Sequence, residues 1–466
     1  MFIAREHERA VLQRLYERPG FQFPVLYGRR RVGKTYLMAE FTKKLPTIFF
    51  TATEGSAETN LAVLSRELYA FKHPDVSMDS APVFADFASA FEEVFRMGRT
   101  RRLVFVIDEY PYLAQSDKSV SSILQLLIDR NKDSSQLFLM LCGSSLSFMR
   151  EQVLGERSPL YGRRTAQIEL KPLDFFDARL FFPEVAPEDA ACYYGMVGGI
   201  PLYLQQIDEC LSLRDNIERA LLDPSSILFE EPLNLLKQEV QKAPLYNTIM
   251  GAVARGKTEN KTIAASAGVT SPELTYYLKE LQRIELLNRE APIVNSGRRA
   301  VYCLSDNLFR FWYRFVGPQR SALERHMTRR ALGEVEHHLA EYMGPIFEQI
   351  CNQWLWRQNV SGLLPVEFDR LGRWWGNNPE RHREEEIDLV GVAGNAVTLI
   401  GECKWRNETV SASIASILSE RGRLVGATDK THDFLFSKSG FSGGCQELEG
   451  DRLSLIDLED MVALAR

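Results

Sequence analysis

The sequence has no uninterrupted apolar stretch of membrane-spanning length, which excludes a helical membrane span as the basis of its function. It is poor in cysteine. The seven present (Cys142, Cys192, Cys210, Cys303, Cys351, Cys403 and Cys445) are scattered, odd in number and never spaced Cys-x-x-Cys. Such a set suggests neither a structural zinc site nor a disulfide framework. Net charge is slight, with 56 Lys+Arg against 62 Asp+Glu leaving −6. The chain is therefore no basic coat, and any contact with DNA has to come from local patches. Low-complexity tails and short-period repeats are missing too. Arg5, Glu6, Glu8 and Arg9 stand where a secretory leader would need an apolar core, so a cytoplasmic, reducing location without membrane association is expected.

What is present is an ordinary globular composition, 45% hydrophobic and 25% charged, in 466 residues. That length is too great for one core, and about two to four domains are expected. The most informative stretch is Gly28-Arg29-Arg30-Arg31-Val32-Gly33-Lys34-Thr35, a full match to the G-x-x-x-x-G-K-[ST] phosphate-binding loop. Phe23 to Tyr27 leads in as a short buried strand, and Tyr36 to Phe41 leads out with helical spacing. In that setting Gly28 and Gly33 let the backbone curl. The N–H groups of the run through Arg31 and Val32 then face phosphate oxygens at a helix N-terminus. Lys34 supplies a point charge to the same oxygens, and the Thr35 hydroxyl is a Mg²⁺ ligand.

A second buried strand is expected over Pro46–Ala52, and helices over Leu61–Phe71 and Phe84–Phe95. Leu103 to Ile107 reads as a strand covered on both faces, with Asp108 and Glu109 where it emerges. Asp108 is the candidate for the Mg²⁺ hydration shell and Glu109 for polarising the attacking water. Leu137–Cys142 repeats the pattern and ends in Gly143-Ser144-Ser145, where Ser144 is either a γ-phosphate sensor or part of a plain turn. Arg157, Arg163 and Arg164 offer an arginine finger or a solvated basic loop.

Taken with Arg5-Glu6, Ile107-Asp108-Glu109, Ser158 to Arg163 and Gly198-Gly199-Ile200-Pro201, the phosphate loop gives the first half of the chain a specific likeness. It resembles the archaeal-type P-loop ATPases, within the class of signal-transduction ATPases with numerous domains. The resemblance implies ATP as the nucleotide, a helical lid, and Pro201 close to the adenine.

From Pro244 the pattern changes. Helices over Tyr246–Val253 and Asn260–Ala267 are followed by a break at Gly268 and a new start at Thr270-Ser271-Pro272-Glu273. The third helix turns Leu274, Leu278 and Leu281 to one side, and Thr275, Lys279, Gln282 and Arg283 to the other. A hairpin follows, turning around Asn295-Ser296-Gly297-Arg298-Arg299. Three helices and a basic-tipped hairpin make a winged helix. Either its third helix enters a major groove while Arg298 and Arg299 touch phosphate, or it serves as a protein–protein spacer, which Glu280 and Glu285 favour. Asp306 to Val316 reads as an aromatic packing helix, and the chain through Leu339 as a charged helical connector.

The last segment holds a second constellation. Gly344 to Glu348 is expected to open a helix, and Val366–Arg370, Glu386–Val390 and Ala396–Trp405 to be strands. Residues two apart in a strand share a face, so Glu402 and Lys404 point together while Cys403 turns away. A hairpin that brings Asp388 beside Glu402 gathers two carboxylates suited to Mg²⁺, with Lys404 placed to orient water or to stabilise charge on a phosphate. The alternative is a Glu–Lys ion pair closing a small α/β domain. Arg370, Arg373, Trp374, Trp375, Arg381 and Arg383 either track a nucleic-acid backbone or, for the tryptophans, fill the core. The layout resembles the PD-(D/E)XK nuclease superfamily, with Glu348 as the helical acid, Asp388 as the first strand carboxylate and Glu402-Cys403-Lys404 as the E-x-K element. Ile387 stands where that pattern has proline.

The sequence thus predicts an α/β protein: a P-loop NTPase parallel sheet (1–170), a helical lid (171–240), a winged helix (241–306), a connector (307–340) and a restriction-endonuclease-like domain (341–466). The function it points to is an ATP-hydrolysing switch coupled to Mg²⁺-dependent DNA binding or cleavage, in defence or mobile-element control, with homo-oligomers possible. The rival is a nucleotide-regulated DNA-binding or scaffold protein whose nuclease-like domain is inactive.

Overall fold

The computed structural model describes residues 3–75, 81–294, 297–298 and 300–464. Two compact units divide the chain, Met1–Pro172 and Leu173–Arg466. In the first, helix α1 (Glu6–Glu17) precedes strand β1 (Pro24–Tyr27) and helix α2 (Lys34–Thr42). Strands β2 (Thr47–Thr51), β3 (Leu103–Asp108), β4 (Leu137–Gly143) and β5 (Ala166–Glu169) complete a five-stranded sheet of order β2-β3-β4-β1-β5. Every pairing in it is parallel.

β3 and β4 are buried along their whole lengths, which is why they read as continuous apolar runs rather than alternating ones. Register places Tyr27 beside Gly143, and Ile107 beside Leu141. The carboxyl ends of β1, β3 and β4 therefore open side by side. The helix expected from Phe84 starts at Phe87, because the Asp86 carboxylate caps it by accepting from Ser89 N at 2.7 Å, and it runs on to Thr100.

In the second unit, the short helix Phe175–Ala178 precedes helix α3 (Pro187–Val197). The lid expected over 171–240 continues in the helical segments Pro201–Leu204, Leu213–Asn216, Ile217–Leu222 and Ile227–Glu239. Helices α4 (Ala243–Ala254), α5 (Asn260–Ala267) and α6 (Ser271–Arg283) then lead to an antiparallel pair, β6 (Leu287–Glu290) and β7 (Val301–Leu304). Gly268 ends α5 in the left-handed region, and Thr270 with Glu273 forms a reciprocal capping box on α6. Leu274, Leu278 and Leu281 are buried. Asn295, Ser296 and Arg299 of the hairpin turn lie outside the described residues.

The charged connector and the helix expected to open at Gly344 are a single helix, α7 (Thr328–Val360), of 33 residues with Pro345 inside it. Pro345 costs a hydrogen bond, about 3 kcal/mol by the usual measure. Burial of Tyr342, Met343, Ile346, Phe347 and Ile350 around it outweighs that loss.

The chain ends in a mixed sheet of order β12-β11-β10-β9-β8, made of β8 (Arg370–Asn378), β9 (Arg383–Ala393), β10 (Ala396–Lys404), β11 (His432–Ser437) and β12 (Leu453–Asp457). β8, β9 and β10 are antiparallel neighbours, whereas β10, β11 and β12 are parallel, with helix α8 (Ala412–Gly422) between β10 and β11. Val366–Asp369 precedes the strand instead of forming it, and the basic, aromatic stretch from Arg370 is β8 itself.

Candidate functional site

The first site forms where β1 gives way to α2. A Cβ on Gly28 would collide with the Leu170 carbonyl, and Gly33 adopts φ 95°, so both positions need the missing side chain. Arg31 takes φ 67° and is exposed, while Val32 is buried. Lys34 is only 6% exposed, and its Nζ donates to the carbonyls of Gly28 and Arg29, each at 2.9 Å. Burial pulls its ammonium below the ordinary lysine value, against the opposing pull of nearby Glu109 and Asp108.

Thr35 Oγ1 donates to Asp108 Oδ2 at 2.9 Å, which brings together a hydroxyl and a carboxylate from two separate elements. A Mg²⁺ that keeps several waters and takes its remaining oxygens from phosphate fits such a pair. Glu109 has φ 51°, and its carboxylate accepts from Ser144 Oγ at 2.7 Å and Ser144 N at 3.4 Å. Ser144 therefore faces Glu109, a pairing of adjacent parallel strand ends that no local motif announces. Arg5, in the left-handed region at φ 72°, donates to the carbonyls of Lys171 (2.5 Å) and Val32 (3.3 Å), tying the phosphate loop to the end of the unit.

Of the candidate fingers, Arg163 is committed within the chain by paired bonds to Asp129 at 2.9 and 2.7 Å. Arg164 lies over the Tyr161 ring, and Arg157 is exposed. Pro201 belongs to the second unit, where it opens the short helix Pro201–Leu204.

The second site is built on β9 and β10. Leu389 pairs with Gly401, and continuing that register sets Asp388 across from Glu402. Each is 6% exposed. Asp388 Oδ2 accepts from Cys403 N at 2.8 Å, and Glu402 Oε1 accepts from Lys404 Nζ at 2.6 Å. Glu348 arrives from α7, held by Arg373 Nε at 3.3 Å. Burial raises the Asp388 carboxyl above the usual range and the Glu402 charge adds to it; burial raises Glu348 likewise, with Asp388 adding and Arg373 opposing. Burial works against the Lys404 ammonium too, yet Glu402 holds it above its ordinary value. The four residues named from the sequence thus share one electrostatic neighbourhood. Two buried, mutually repelling carboxylates are a donor set that an oxygen-loving divalent ion fits, although among the described residues no group of three or more His, Cys, Asp or Glu is placed to hold a metal.

The structure adds residues to which the sequence reading gave no such role. Arg421 of α8 donates to Glu385 at 2.9 Å and reaches both oxygens of Glu402, and Arg373 also pairs with Glu386 and Glu290. Only the loose basic composition of this region hinted at them. Trp374 is buried in the core of the sheet, and Arg381 and Arg383 pair with Glu420 and Glu385. On the helix–hairpin segment, Thr275, Tyr276 and Lys279 are exposed along α6, while Arg298 is engaged by Glu384 and Asn377.

Comparison with known proteins fits this geometry. Residues 2–207 match a family described as an ATPase domain predominantly from Archaea, and residues 312–416 match one described as archaeal and bacterial proteins of unknown function. The fold resembles the Walker-type ATPase of Pyrococcus abyssi, at 20% identity and a TM-score of 0.51, over 67% of this chain and 96% of that one. The ORC2 protein of Aeropyrum pernix, in ADPNP–ADP complexes, aligns at 14% identity and a TM-score of 0.47 over 70% of this chain and 95% of its own. An uncharacterized protein of Methanocaldococcus jannaschii is 32% identical over 465 residues, 99% of this chain and 100% of the relative. With identity sustained over the full length of both, this protein belongs to the family of that archaeal relative, and it carries a P-loop ATPase domain in its N-terminal half.

Proposed function

We propose that this ATPase is a nucleotide-driven switch controlling a Mg²⁺-dependent DNA nuclease in the C-terminal part of the same chain. The observation that carries the reading is the convergence of Glu348, Asp388, Glu402 and Lys404, drawn from one helix and two strands, in a mostly buried position. At the first site, the loop from Gly28 through Arg31, Val32 and Gly33 cradles the phosphates of ATP, and Lys34 neutralises them. Thr35 and Asp108 hold Mg²⁺, and Glu109 polarises the attacking water. At the second, Asp388 and Glu402 hold Mg²⁺, Glu348 completes the acidic set, and Lys404 steadies charge on the phosphate. The bound ion supplies Lewis-acid stabilisation of that charge. Residues 241–306 act as a winged helix, with the exposed face of α6 turned to DNA.

Plasmid cleavage with Mg²⁺ and ATP tests the reading: wild type cuts and Asp388→Ala does not. Equal digestion by both, or by neither in any nucleotide state, overturns it. A second reading, a nucleotide-regulated DNA-binding scaffold with an inactive nuclease-like domain, is favoured by the ion pairing of Glu402 with both Lys404 and Arg421. Under it, DNA binding persists in Glu402→Ala and no cleavage is seen in wild type.

A further inference from the structure

Arg421 stands near the carboxyl end of α8, the helix that follows the Glu402-bearing strand. Its Nε donates to Glu385 Oε2 at 2.9 Å, and Glu385, with a side chain only 3% exposed, is gripped from its other oxygen by Arg383 at 2.7 Å. Nη1 rests on Glu402 at the long distances of 3.3 and 3.4 Å, and Nη2 donates to no partner among the described residues. Lys404 Nζ sits on the same Glu402 oxygen at 2.6 Å, so the two cationic heads are neighbours. The guanidinium is thus fixed through Nε by a buried carboxylate, held more loosely through Nη1 by Glu402, and open at Nη2. The adjacent ammonium spends one of its three donors on Glu402 and keeps the others. A guanidinium N–H group beside an ammonium, both fixed in place, matches the two non-bridging oxygens of a phosphate diester.

We propose that Arg421 is a phosphodiester-binding residue: with Glu385 anchoring it, its Nη2 and Lys404 together take the non-bridging oxygens of one nucleic-acid phosphate beside Glu402. The assignment rests on the nuclease reading for its choice of ligand. It does not need the metal to be bound, because the donors belong to the chain.

The test is binding of a short fluorescein-labelled DNA duplex to the full-length protein in EDTA, followed by anisotropy over a salt series. Losing one phosphate contact lowers the slope of log K against log[salt] by about 0.9. Arg421→Gln is expected to show that drop with an affinity loss of about tenfold, whereas Arg421→Lys, which keeps the charge, restores the slope. A purely structural role would lower melting temperature in both variants and leave the slope alone. If Arg421→Gln does not fold, the pair Glu385→Gln with Arg421→Gln, which leaves no unmatched buried carboxylate, carries the same comparison. An unchanged slope and affinity in the neutral variant overturns the assignment. Plasmid cleavage by wild type, run alongside, separates the outcomes. Cleavage with an unchanged slope removes Arg421 and keeps the nuclease. A lowered slope without cleavage keeps Arg421 as a binding residue and removes the nuclease.

Discussion

Glu109 holds a left-handed backbone conformation that costs a non-glycine residue free energy, and it spends its carboxylate on Ser144 rather than on solvent. Its neighbour Asp108 is turned the other way, to Thr35. Two consecutive acids at one strand end are thereby given different partners. Glu109→Gln is expected to leave ATP affinity within about a factor of two while lowering hydrolysis about 10²- to 10⁴-fold, the usual range for loss of general-base catalysis. Isothermal titration and phosphate release measure the two quantities, and parallel loss of both would remove Glu109 from the chemistry. The positions of Asp108 and Glu109 were readable because a buried parallel strand has to be apolar until it emerges. The partnership of Glu109 with Ser144 was not, because it depends on β3 and β4 lying side by side.

At the level of elements, runs with a strong period were legible and short or half-buried ones were not. β3, β4, β9 and β10 announce themselves by continuous apolar residues or by alternation ending in charge. β5, with one buried residue in four, and β12, with one in five, carry no such signal. Val366–Asp369 looked strand-like from composition, yet pairing begins only at Arg370, opposite Val392. The second site was legible in its strand residues because spacing of two fixes a common face, whereas Arg421 comes from a helix whose docking no local pattern records. β11 offers an independent check on the sheet. Burial pushes the Asp433 carboxyl up to about 6 from 3.8, with Arg452 opposing. A folded value above the unfolded one favours the protonated form, so the stability it contributes is full below about pH 4 and is lost as the pH rises through 6. Asp433→Asn removes that titration. Its stability relative to wild type should rise between pH 4 and pH 7 in denaturant melts, and a difference independent of pH would refute the assignment.

For the molecule as a whole, the second unit is knit together through α7. Tyr342 donates to the carbonyls of Gly195 (2.7 Å) and Asn307 (3.2 Å), and Gln349 and Gln353 donate to the Tyr194 hydroxyl. On other sides of the same helix, Phe347 meets Trp405, Trp354 meets Phe436 and Glu348 meets Arg373. Tyr342→Phe removes the one buried hydroxyl proton that these two carbonyls share, and a loss of about 1–3 kcal/mol in denaturant stability is expected. A loss too small to measure would show that α7 is held by its apolar face alone. The helix is about 50 Å long at 1.5 Å per residue, and its hydrogen-bond ladder is interrupted at Pro345, three residues before Glu348. The contacts with α3 fall on both flanks of that interruption, Tyr342 ahead of it and Gln349 and Gln353 beyond. α3 therefore acts as a splint across the interrupted turn of a long helix: if it slides, the turn left free to bend is the one that carries Glu348.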